Sequence, residues 1–113
     1  MKYLFVFNDS PYGSQRTYNG LRWALSLSRT NPIRVFFFGD GVTAALAGFT
    51  PAHADYNPQA MVAAIAATGA EIAACGTCME ARGLTKSLIP QVKRGSMEEL
   101  SDWASEAEKV INF

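Results

Sequence analysis

Residues 33 to 40 read Ile33-Arg34-Val35-Phe36-Phe37-Phe38-Gly39-Asp40. Apart from Arg34, the run to Phe38 is apolar without alternation, and Gly-Asp closes it. A strand of this kind presents apolar side chains on both faces and must be covered on both. That is the pattern of a parallel sheet held between helical layers.

The flanking segments follow the same rhythm. Upstream, Lys2 to Phe7 is a second short aromatic and β-branched run that ends in the turn NDSPYGS (8–14). Ser14 caps a helix to about Ser28, with Tyr18, Leu21, Leu25 and Ser28 on one face, and Asn31-Pro32 breaks it. Downstream, GDGVTAALAGF (39–49) reads as a short helix. Asn57-Pro58 supplies an N-cap and an N1 proline for the next helix, and Gly69 is its C′ residue. AEIAA (70–74) is a third strand. Ser96-x-x-Glu99 is a capping box launching a helix to about Glu108, and KVINF (109–113) is a closing strand. Gln91-Val92-Lys93 is expected to add a further short strand.

Strands alternating with helices give an α/β protein, a doubly wound three-layer α/β/α sandwich with flavodoxin-like layering and a mainly parallel sheet of about five strands. The 113 residues form one domain, since compact domains hold about 100–150. Right-handed crossovers bring the loops after the strands to one edge, where open sheets bind and react near the reversal of strand order. The loops Asn8–Ser14, Gly39–Val42 and Cys75–Gly83 are therefore expected to meet.

Composition narrows the function. Hydrophobic residues make up 49% of the chain and aromatics 12%, enough to fill a core. Ten basic residues balance ten acidic ones with no basic block, which argues against nucleic acid or anionic lipid as the main partner. No apolar stretch approaches the roughly 20 residues of a membrane span. MKYLFVFND lacks the cleavage site of a signal peptide, so the expected compartment is the cytoplasm. The helix containing Ala60–Ala67 (AMVAAIAA) has no charged face, and a second copy of the chain is expected to cover it. Alanines serving only as good helix formers are the plainer explanation.

The stretch ACGTCMEARGL (74–84) carries both cysteines, Cys75 and Cys78. In a reducing compartment such a pair is more often reactive than structural. A thiol between a parallel strand and a helix start sees unpaired N–H groups that favour thiolate, the nucleophile. Gly76 permits close backbone approach, Thr77 offers a hydroxyl, and Arg82 supplies positive charge if it folds back. Zinc would need further ligands beyond this pair and the lone His53. A thioredoxin-type redox couple, two inert buried thiols and a single working nucleophile at Cys75 remain open on the residues alone.

Several segments together resemble the DsrE/DsrF-like sulfur-relay family, in its small YchN-like branch: NDSPYGS, FFFGDGVTAAL, ADYN, CGTCMEARGL and EKVINF, in this order along the whole chain. The resemblance implies a three-layer α/β/α sandwich and trimeric or hexameric assembly. It also implies a cysteine that accepts a persulfide sulfur and passes it to a partner thiol. By its distance to Arg82-Gly83 that position falls on Cys75. Cys78 has no counterpart in the classical relay subunit and is shared with the YchN-like branch, which leaves its role open, with a resolving thiol as the candidate. The implied function is a cytoplasmic sulfur carrier, a possible sulfurtransferase, working between sulfur-donor and sulfur-acceptor proteins. Persulfide transfer is thiol–disulfide exchange and requires no metal or organic cofactor. The rivals are a non-catalytic assembly or regulatory subunit and a CxxC dithiol–disulfide protein.

Further candidates rim the expected pocket. Tyr12, Gly13 and their neighbours Asp9, Ser10 and Ser14 stand near Cys75, with Tyr12 shielding or hydrogen-bonding the sulfur. A plain turn and helix cap, or a phosphate held at the following helix, would account for the same residues. Asp40 is expected to orient Arg82 or to cap the helix it opens.

Overall fold

The computed structural model describes residues Met1 to Phe113. Five strands form one parallel sheet: β1 (Tyr3–Phe7), β2 (Ile33–Phe37), β3 (Glu71–Cys75), β4 (Lys93–Gly95) and β5 (Lys109–Asn112), in the order β4-β3-β2-β1-β5. Four helices connect them: α1 (Arg16–Ser28), α2 (Pro58–Ala67), α3 (Gly76–Ala81) and α4 (Met97–Glu106). No helix is long and apolar enough to cross a membrane.

Strand register explains the layers. Phe5 pairs with Val35 and Phe7 with Phe37, whereas Val6 pairs with Phe36. Alternation therefore sends Phe5, Phe7, Val35 and Phe37 to one face and Leu4, Val6 and Phe36 to the other. On the first face, Phe7 stacks on Phe37 at 5.6 Å and Phe5 meets Trp23 of α1 edge-on at 5.8 Å. On the second, Phe36 meets Trp103 of α4 edge-on at 6.1 Å. The unbroken apolar run of β2 is thus covered from both sides, and the chain is a three-layer α/β/α sandwich. Trp103 is 4% exposed, while Trp23 remains 49% exposed. Arg34 leaves the core at the amino edge, where its guanidinium lies over Trp103 and pairs with Glu71 and Glu106.

Local signals act as the sequence implies in several places. The Asn57 side chain accepts the Ala60 N–H at 3.1 Å, Pro58 opens α2, and Gly69 follows it at φ +96°. Elsewhere the structure departs. Ser14 is not the N-cap of α1; it accepts the Arg16 N–H at 3.3 Å from one residue further out, and Gln15 occupies the cap without a side-chain bond. Segment 39–49 does form a short helix, of 3-10 type over Gly39–Ala45. The capping box is half made. Ser96 Oγ accepts the Glu99 N–H, but the Glu99 carboxylate turns to Lys93 at 2.7 Å instead of reaching back. α4 stops at Glu106, because the N–H groups of Glu108 and Lys109 turn to the Lys2 carbonyl and lead into β5. The expected strand at 91–93 lies two residues later, at Lys93–Gly95, since a turn holds the Val92 N–H on the Ile89 carbonyl.

The strand order also moves the crevice. The chain steps outward from β1 to β4 and then crosses back to place β5 beside β1, so the reversal falls between β1 and β5. Asn8 and Asn112 meet there at 2.6 Å. The thiol turn follows β3, with β2 and β1 between it and the reversal, so the two do not coincide as the sequence reading expected.

Candidate functional site

The three loops named from the sequence do converge. The Phe38 N–H donates to the Phe7 carbonyl at 2.8 Å, and Thr43 reaches Ser10 at 3.4 Å, tying the loop after β2 to the loop after β1. The Gly39 N–H donates to Cys78 Sγ at 3.2 Å, and Asp40 pairs with Arg82 at 2.7 Å, tying the same loop to the turn after β3. Gly41 makes this closeness possible. A Cβ there would stand 2.8 Å from the Phe7 carbonyl carbon and closer still to its oxygen.

Cys75 ends β3 and is the N-cap of α3, with its Sγ accepting the Cys78 N–H at 3.4 Å. It lies in the core at 6% exposure, whereas Cys78 is half-buried. The expected open sulfur at residue 75 is therefore a shielded one, and the more reachable thiol is Cys78. Cys75 Sγ is turned back onto the first turn of α3, and β3 is an inner strand here because Cys75 pairs with Gly95 of β4. Burial pushes the Cys78 thiol above the ordinary range and the neighbouring Cys75 thiol adds to this. The Gly39 N–H and Arg82 pull it back, without winning. At rest Cys78 is a protonated thiol with a thiolate-stabilising donor already in place.

Arg82 folds back as anticipated. Its Nη1 donates to the Cys78 carbonyl at 3.1 Å, and Nε and Nη2 donate to Asp40, so Asp40 orients this arginine. Gly76 is buried because the Arg94 guanidinium lies across it; a Cβ would stand 2.6 Å from Nε. Thr77 is exposed and donates to neither sulfur. Tyr12 does not hydrogen-bond the sulfur as expected: its hydroxyl donates to Gln59 at 3.3 Å and its ring stacks on Phe49 at 5.4 Å. Gly13 is exposed with open space around it. Three contributors were missed from sequence: the Gly39 N–H, Arg94 and its partner Glu80. The first is a backbone group with no side-chain signal, and the other two are ordinary charges until the register of β4 sets them beside the turn.

Helices on both faces of a parallel sheet, with a thiol pair in the turn after its third strand, define an α/β/α thiol protein. The chain belongs to the DsrE/DsrF-like family, whose model matches residues 1–113. It is 37% identical over 116 residues to the protein YchN of Escherichia coli K12, covering 99% of this chain and 98% of that one. An uncharacterised protein of Methanopyrus kandleri is 34% identical over 96% of this chain and 90% of its own. The crystal structure of the E. coli YchN protein superposes with a TM-score of 0.94 at 36% identity, over 100% of this chain and 99% of that one. A protein of unknown function from Methanobacterium thermoautotrophicum shares the fold at a TM-score of 0.77 and 15% identity, over 99% and 97% of the two chains.

Proposed function

We propose that this protein is a sulfur carrier that takes a persulfide sulfur onto the Cys75–Cys78 turn and passes it to a partner thiol. The observation that carries the reading is that each sulfur already receives a backbone N–H, Cys75 from Cys78 and Cys78 from Gly39. A terminal S⁻ of a persulfide needs such donors, and Arg82 adds positive charge beside it. The partners on this reading are a sulfur-donor and a sulfur-acceptor protein.

Incubation of the reduced protein with a cysteine desulfurase and cysteine, followed by intact mass measurement, tests this. A gain of one sulfur per chain early in the incubation is expected, and a chain that neither gains sulfur nor releases sulfide overturns the proposal. A second reading, dithiol–disulfide exchange alone, draws on the placement of the two thiols on one helical turn. Loss of two hydrogens on mild oxidation, with no sulfur uptake from the desulfurase, would select it.

The same proposal includes assembly of several copies through α2. Val62 and Ile65 point inward, and the outward face carries only the methyl groups of Ala60, Ala64 and Ala67. A surface without charge or long side chains lets another copy approach closely at little entropic cost.

A further inference from the structure

We infer that the two cysteines divide the work in an order set by their depth: Cys78 receives the sulfur and, where no acceptor thiol takes it, Cys75 expels it as sulfide by closing a disulfide. This rests on the sulfur-carrier reading and assigns each step to an atom. An attacking thiol needs an open line to the donor's sulfur–sulfur bond. Cys75, at 6% exposure, lacks one; the half-buried Cys78 has it. Cys75 Sγ is in turn held against the backbone of Cys78, accepting its N–H at 3.4 Å. A persulfide on Cys78 therefore presents its inner sulfur to Cys75.

The steps balance. Cys78, having lost its proton to solvent, attacks the terminal sulfur of the donor persulfide. The donor's S–S bond breaks, its thiolate leaves with the electron pair, and a Cys78 persulfide remains. Cys75 attacks Cys78 Sγ, the persulfide bond breaks, and hydrosulfide leaves carrying that electron pair and the Cys75 proton. The transferred sulfur is reduced by two electrons and the two thiols are oxidised by two, so no outside oxidant enters. A thiol reductant restores the pair.

The test follows sulfur mass and free sulfide together after loading from a desulfurase and cysteine. Wild type is expected to gain one sulfur, then lose it, ending two hydrogens lighter with one sulfide released per chain. Cys75→Ser keeps the first-turn hydrogen bond through its hydroxyl and is expected to hold its sulfur without releasing sulfide, an arm that misfolding cannot imitate. Cys78→Ser is expected to take up none. Loading of Cys78→Ser overturns the order while sulfur carriage stands. A wild type that keeps its sulfur and releases no sulfide overturns the expulsion step. A wild type that never loads removes the function beneath both.

Discussion

The Gly39 N–H donates to Cys78 Sγ at 3.2 Å, so the loop after β2 holds a sulfur that the turn after β3 carries. The reactivity of the thiol pair therefore depends on how two neighbouring strands are docked, and not only on the turn that contains it.

The first consequence is a pH profile. The folded chain binds the Cys78 proton more tightly than the unfolded chain does, chiefly because of burial. Its contribution to stability is complete below the unfolded thiol value of about 8.5 and is lost as pH rises through the folded value. Alkylation of Cys78, followed peptide by peptide, should show a midpoint above that of an ordinary thiol. Arg82→Ala removes a lowering influence and should move the midpoint higher still. Cys75→Ala removes a raising one and should bring it down. A wild-type midpoint below the ordinary thiol range would contradict the burial argument.

Gly41→Ala tests the docking itself. The added methyl would overlap the main chain at Phe7, which cannot swing aside as a side-chain tip can. The expected loss is about 3 kcal/mol or more, at the upper end of overpacking costs. Thermal melting measures it, and alkylation of the surviving folded fraction should show a Cys78 no longer held by Gly39.

Trp103→Ala strips the cover from Phe36. Trp103 is the one buried residue of α4, which alone supplies the second helical layer. A loss of about 3–5 kcal/mol is expected from the removed area and the cavity left behind. Chemical denaturation checks it, and a loss below about 1 kcal/mol would show that α4 is held by its charges.

Ala64→Arg addresses assembly. Ala64 lies on the exposed stripe of α2, away from the buried Val62 and Ile65, so the fold should tolerate the change. Light scattering is expected to show the particle mass falling to that of one chain. An unchanged assembled mass would move the contact to another surface.

What the sequence revealed, and what it hid, divides along a physical line. Residues whose own chemistry sets the local structure were legible. Phe36 and Phe37 demanded cover on both faces, Asn57-Pro58 opened α2, and Gly69 closed it. Features decided by register were not. Cys75 ends an inner strand only because β4 pairs beyond it, and the place of β4 follows from a turn at Ile89–Val92. Glu99 fitted a capping box but met Lys93 of β4, a residue that local spacing could not put beside it. Tyr12 stood near the cysteines in the ordering of loops, yet Gln59 and Phe49 draw it toward the start of α2.

β4 spans three residues at the sheet's margin, and its Gly95 is the strand partner of Cys75. Short outer strands lift away from a sheet at far smaller free energies than the interior requires. The deeper sulfur is thus guarded by a latch rather than a wall, and its contact with the outside becomes a matter of opening frequency. Gentle warmth or dilute urea should quicken attack at residue 75 well before the phenylalanines inside feel any change.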